Sequence, residues 1–199
     1  MRIGLDFDNT IACYDRAFSF AVHDMGLLPD GLGDLSKEEI KVRIRALPDG
    51  ERQWQRLQGR AYGFYIGHAC LFDGFTGFVL AARATGHHLV VISHKTQFGH
   101  FDPDHIDLCA AARKWMAGNG FFDILGFTDE DVNFSPTRGE KLSRIAHLDC
   151  SHFIDDLPEI LLDPQFPATT RPLLFAPGGG GGSLPAYESW AALRRTLLT

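Results

Sequence analysis

Long basic runs are missing from this chain. Its 19 Lys and Arg stand against 25 Asp and Glu, a formal net charge of -6, and no stretch strings the cations together as a phosphate-backbone tracker would. General nucleic-acid binding therefore has little electrostatic support. A small anionic substrate is not excluded, because local placement of Arg and Lys matters more than the sum. Also missing are an apolar run of membrane-spanning length and a basic, then apolar, leader. The expectation is a soluble, cytoplasmic protein without a membrane partner. Cysteine is scarce, with Cys13, Cys70, Cys109 and Cys150 far apart and never in a C-x-x-C pair. They read as reduced core residues rather than a zinc site or a disulfide frame. No internal repeat is found. The one low-complexity tract, 178–182, lacks the fixed Lys and Ser/Thr of a phosphate loop and reads as a flexible connector.

What is present is ordinary globular material, 45% hydrophobic and 22% charged over 199 residues. That length suffices for one α/β domain or for a core domain carrying a modest insertion.

The first ten residues, MRIGLDFDNT, organise the reading. Ile3 and Leu5 occupy buried positions of a short strand, and Asp6 and Asp8 fall two apart at its end, where alternate side chains share a face. Like charges so close raise each other's cost of ionisation unless a cation or proton resolves the conflict. A divalent metal is the simplest resolution, with ordinary Asp-Asn-Thr turn chemistry as the competing reading.

Residues 11–71 look helical and separate from the rhythm that follows. A first helix centres on 17–22. Ser36 and Glu39 announce a second through a capping box, and it stops at 48–50. A third spans about 51–66, with Trp54, Leu57, Ala61 and Tyr65 in one apolar arc. Arg52, Arg56 and Arg60 line up at i, i+4, i+8, where they could meet an anionic substrate, but the same wheel puts them nearly opposite Trp54, which favours a solvated face.

From residue 72 strands and helices alternate. A helix over 75–85 closes at Gly86, and the β-branched run 88–93 suits a buried parallel strand. The polar loop 93–104 crowds His94, Lys95, His100, Asp102 and His105 near that strand's end, without a recognised metal-ligand spacing. A helix over 106–117 follows, then a weaker strand or two within 124–134. Thr137 and Glu140 form a second capping box that places Lys141 in the first turn of a helix. Strand 152–155, a short helix through 159–162, strand 172–175 and a terminal helix from about Ala186 complete the chain.

Such alternation predicts a Rossmann-like parallel sheet with helices on both faces, right-handed crossovers and a ligand crevice at the carboxyl ends of the strands. Asp6 and Asp8, then Ser93, then Asp155 and Asp156 stand at those ends, and Lys141 opens a neighbouring helix. Hard oxygen donors of this kind suit Mg²⁺, which takes few carboxylates and keeps water or substrate phosphate oxygens for the rest.

In that order, the Asp6–Thr10 segment, Ser93 after an apolar strand, Lys141 opening a helix, and Asp155-Asp156 after an apolar strand resemble the four motifs of the haloacid dehalogenase-like (HAD) hydrolase superfamily. The resemblance spans residue 1 to about 175. It implies Asp6 as nucleophile through an aspartyl-phosphate, and Asp8 as the acid and base serving leaving oxygen and water, its backbone carbonyl also touching the metal. It assigns the phosphoryl oxygens to Ser93, the His94 amide and Lys141, with Thr10 among the substrate-binding residues. Asp156 is expected as the direct Mg²⁺ ligand and Asp155 as the orienting one. Asp8 argues for phosphate chemistry rather than dehalogenation. Residues 1–10 and 72–199 would form the core domain, and 11–71 a small helical cap carrying substrate contacts. The last motif departs from many relatives in having Glu159 where they place a further Asp.

The expected activity is a Mg²⁺-dependent phosphomonoesterase acting on a small phosphorylated metabolite such as a sugar phosphate or nucleotide. The alternatives are a phosphotransferase using the same intermediate and a non-catalytic module that binds a phosphorylated ligand on the same fold.

Overall fold

The computed structural model describes residues 1–29, 35–180 and 182–198. The part of the proposed cap at 30–34, and Gly181 of the glycine tract, lie outside them. In chain order the elements are β1 (Arg2–Leu5), β2 (Ala12–Cys13), α1 (Asp15–Asp24), α2 (Lys37–Arg45), α3 (Gly50–Tyr62), β3 (Cys70–Leu71), α4 (Phe75–Ala84) and β4 (His88–His94). They continue with α5 (Leu108–Gly118), β5 (Val132–Ser135), α6 (Arg138–His147), β6 (His152–Asp155), α7 (Pro158–Leu161), β7 (Arg171–Phe175), β8 (Ala186–Tyr187) and α8 (Trp190–Leu197).

These elements divide into two compact units, one of residues 1–12, 71–95 and 120–199 and the other of 13–70 and 96–119. The segment 96–119, which the rhythm of the sequence assigns to the core, clusters with 13–70 instead. In the first unit six strands form one sheet in the order β5-β4-β1-β6-β7-β8, every pairing parallel. The two residues of β8 correct the terminal helix, which starts at Trp190 rather than at Ala186. A pair of residues is too short for any periodicity to mark it as strand.

The sheet is covered on both faces, as parallel sheets require. One cluster joins Val90, Ile92, Leu142, Ile145, Phe153, Ile160 and Leu174 under α6 and α7. A second, largely aromatic, stacks Phe75, Phe78, Phe121 and Phe175 around Trp190 of α8. Gly4 sits mid-strand in β1 opposite Phe153, and a Cβ there would lie 2.6 Å from the Phe153 ring. A residue without a side chain is what lets that ring lie against the central strand.

The second unit is helical. Its third helix buries Trp54, Leu57 and Ala61 as the sequence pattern requires. Phe18 of α1 stacks on Trp54 at 5.3 Å, and Ser36 and Glu39 close the expected capping box on α2. The solvated-face expectation fails at Arg60. Its guanidinium is largely buried and bonds Asp102 at 3.3 Å and, more closely, Asp104, while Arg52 stacks over Phe101 at 4.8 Å. Helical spacing shows which residues share a face but not which distant loop covers it. Of the cysteines only Cys150 is buried, Cys70 being exposed and the other two half-buried. The core expectation thus holds for one of four.

Candidate active site

The site is built at the carboxyl edge of the sheet. Leu5 is in register with Val91 of β4 on one side and Ile154 of β6 on the other, and Asp6 continues the ladder by donating its amide to the Ile154 carbonyl at 2.8 Å. Parallel strands share a polarity, so Asp6, Ser93 and Asp155, each at or next to the carboxyl end of its strand, lie along one edge of the sheet. The chain then reverses tightly. Phe7, fully buried, points away from the two aspartates as period-two backbone dictates, and its carbonyl accepts the amides of both Ile11 and Ala12 at 3.0 Å. Asn9 supplies the left-handed conformation at φ 59°, which Asn tolerates better than most residues. Trp190 braces the turn from below, its indole donating to the Thr10 carbonyl at 3.2 Å.

Into this edge α6 projects Lys141. The Thr137 hydroxyl accepts from the Glu140 amide, half of the expected capping box, and that start places Lys141 one turn in. Its ammonium, 1% exposed, donates to Asp6 Oδ1 and Asp155 Oδ2, both at 2.6 Å. Burial works against the charge, but the two carboxylates outweigh it and hold Lys141 well above the ordinary lysine range. Asp155 is fully buried, which with its neighbour Asp6 raises its carboxyl to about 6 against the pull of Lys141. Its second oxygen accepts the Leu157 amide at 2.9 Å.

Asp156, half-buried, completes the group. One oxygen each from Asp6, Asp155 and Asp156 lie within 4.8 Å of one another, and among the described residues no other group of three His, Cys, Asp or Glu is placed this way. Three hard carboxylates facing one ammonium leave negative charge uncompensated, which suits a divalent cation of the Mg²⁺ type. Thr10 is buried beside them and donates to Asp156 Oδ1 at 3.3 Å. Ser93 is buried at the end of β4, and the exposed His94 ring lies 3.1 Å from the Pro136 carbonyl. Glu159 faces solvent.

Asp8 is paired differently. Lys95 approaches both of its oxygens, at 3.0 Å and 2.7 Å. The sequence reading leaves Lys95 inside a polar loop. Its one signal there is position, two residues beyond Ser93, where strand geometry repeats a face.

A solved structure of a HAD family hydrolase from Deinococcus radiodurans with bound phosphate and sodium matches 98% of this chain and 94% of its own length, at TM-score 0.57 and 14% identity. The fold is that of the HAD hydrolases. Bacillus subtilis YfnB bound to magnesium matches 100% of this chain and 98% of its own, at TM-score 0.58 and 12% identity. The Mycobacterium tuberculosis protein tyrosine kinase A, PtkA, is also similar in fold, at TM-score 0.63 and 16% identity, over 100% of this chain and 98% of its own. No family model and no curated protein matches the sequence.

Proposed function

We propose that this protein is a Mg²⁺-dependent phosphohydrolase that cleaves the phosphate monoester of a small metabolite by way of an aspartyl-phosphate on Asp6. The observation that carries the reading is the meeting of Asp6, Asp155 and Asp156 within 4.8 Å, with a buried Lys141 bonded to two of them.

Asp6 attacks phosphorus in line, and the bond from its carboxylate oxygen forms as the bond to the leaving oxygen breaks. Asp8 hands a proton to that leaving oxygen, then takes one from the water that attacks the aspartyl-phosphate and frees Asp6. Ser93, the His94 amide and Lys141 hold the phosphoryl oxygens while charge spreads over them. Thr10 steadies Asp156 through its hydroxyl. The carboxylates of Asp6, Asp155 and Asp156 and the backbone carbonyl of Asp8 would hold Mg²⁺, which when bound supplies charge neutralisation at the phosphoryl group. The helical segment within 11–71 we take as the cap that selects the substrate, in keeping with its Arg and aromatic content.

Phosphate release from a panel of sugar phosphates and nucleotides, measured with Mg²⁺ and with a chelator, tests the reading. Turnover should need the metal and should vanish in Asp6→Asn. Equal release by wild type and Asp6→Asn refutes it. Transfer of the phosphoryl group to an added alcohol would instead identify a phosphotransferase, and ligand-induced stabilisation without turnover a binding module.

A further inference from the structure

Building on the phosphohydrolase reading, we propose that Lys95 is a positioning residue for Asp8, fixing the carboxylate that serves the leaving oxygen and so making the enzyme selective for esters of poorly leaving alcohols. The ammonium is itself buried, its side chain 2% exposed against 17% for Asp8. A lysine ammonium is put in such a place only when a partner offsets its lost hydration. Here both oxygens of one carboxylate serve, at 3.0 Å and 2.7 Å.

Three contacts fix the direction of approach. The Lys95 amide donates to the Ser135 carbonyl at 2.9 Å, tying the end of β4 to β5. The ammonium lies 5.5 Å from the centroid of Phe7, the buried residue between the two aspartates. Ser93, two residues earlier, lies at the end of the same strand, so one short segment reaches both the phosphoryl group and the acid.

The two lysines divide the work. Lys141 is engaged with Asp6 and Asp155, whereas Lys95 is bonded to Asp8. A three-donor ammonium can keep one Asp8 oxygen tethered while the other, released from it and carrying the proton, turns to donate that proton to the leaving oxygen. Without that tether the Asp8 carboxylate rotates about its side-chain bonds, and the proton reaches the leaving oxygen from a spread of positions rather than one.

The consequence is graded by leaving group. An alkoxide needs the proton as it departs; a nitrophenolate does not. General acid catalysis is worth on the order of 10²–10⁴ in rate. Lys95→Met should therefore lower kcat for a primary-alkyl phosphate about 30- to 100-fold and for p-nitrophenyl phosphate less than about 5-fold, with KM little changed because Lys95 does not hold the phosphoryl oxygens. In an Asp8→Asn background the same substitution should add less than about 3-fold, since the group it positions is gone.

The test is steady-state kinetics on both esters for wild type, Lys95→Met, Asp8→Asn and the double variant. The alkyl-to-aryl ratio is read within each sample, so partial misfolding cancels from it. If Lys95→Met yields no folded protein, Lys95→Arg carries the same measurement, with an expected ratio between wild type and Asp8→Asn. Equal proportional losses on both esters, or full additivity with Asp8→Asn, overturn the Lys95 assignment while leaving the phosphohydrolase reading standing. Wild type that releases phosphate from neither ester nor any of the metabolite panel overturns both.

Discussion

Lys141→Met takes away the ammonium shared by two buried carboxylates while leaving a stem of similar volume, so charge rather than a cavity dominates the outcome. Removing one partner of a buried pair costs about 3–5 kcal/mol, because the other charge is left without compensation. Here both contacts are 2.6 Å and both acceptors are almost inaccessible, which puts the expectation near the upper end. With a urea dependence of about 2–3 kcal/mol per molar, the midpoint should fall by roughly 1.5–2 M in a chelating buffer at pH 8. Mg²⁺ should then restore part of the loss, because a cation among Asp6, Asp155 and Asp156 replaces the missing positive charge. The same cation should stabilise wild type less, where Lys141 already offsets the acids.

Asp155 adds a sign that can be checked. Its carboxyl is raised to about 6 by burial, and an acid raised above its unfolded value of about 3.9 takes up its proton more readily when folded. Its contribution therefore grows as pH falls from above 6 toward 4, and the variant, lacking the opposing ammonium, should regain stability at higher pH than wild type does. Two units need not unfold in one step, so amide exchange at Phe153 and Ile154 of β6 is the probe that reads the right one. A midpoint within about 0.3 M of wild type in chelator, or an equal Mg²⁺ gain in both proteins, would refute the charge argument.

In the helical unit, a Cβ on Gly99 would meet the Gly59 Cα at 2.4 Å, backbone against backbone. Gly99→Ala should thus cost about 1–3 kcal/mol, and Gly59→Ala should also destabilise, against the usual gain of alanine in a helix. Gly118, the last residue of α5, has nothing within 4 Å and its alanine variant should gain about 0.5–1 kcal/mol; matching melting temperatures for Gly99→Ala and Gly118→Ala would sink the packing argument. His152 is lowered by burial first and then by Arg171 and His87, so the unfolded chain takes the proton near pH 6.5 while the folded chain resists it. Its contribution is whole above that pH and declines as pH falls through it, and His152→Gln should flatten the urea-midpoint profile between pH 7.5 and 5.5. Asp156→Asn should abolish the thermal gain from Mg²⁺, which at a hundredfold excess over Kd is worth about 2.7 kcal/mol, or roughly 5–10 °C for a chain this long. A gain retained in the variant would place the cation elsewhere.

The residues legible in the sequence are those whose position follows from the polarity of a parallel sheet. Asp6, Ser93 and Asp155 each end an apolar run, and once the runs are strands in one parallel sheet their ends share an edge whatever the order of pairing. Lys141 is legible for a related reason: Thr137 fixes where its helix starts, and a helix start beside a strand end fixes one turn of reach. Capping and burial along α2 and α3 are local in the same sense. What could not be read depends on partners far away in the chain. Arg60 lies on the polar side of its own helix, and only the arrival of Asp102 and Asp104 from more than 40 residues away turns a solvated position into a buried ion pair. The two residues of β8 carry no pattern of their own and exist as strand because β7 offers them an edge.

Lys95 lies between these cases, and it shows where strand logic stops. Period two does place it on the face of Ser93, but the period holds only while the backbone stays extended, and the polar run that follows gives no sign of how far that extends. The structure ends β4 at His94, and the Lys95 amide still reaches the Ser135 carbonyl, so the alternation persists for one residue beyond the end of the strand and three beyond Ile92, its last apolar position. That single residue decides whether a lysine faces water or the second aspartate of the opening segment. In the proposed reaction the step most sensitive to the leaving group thus hangs on a backbone hydrogen bond at the end of an edge strand, where a substitution such as Ser135→Pro, distorting the partner carbonyl, should reproduce the leaving-group selectivity loss of Lys95→Met without touching either charge.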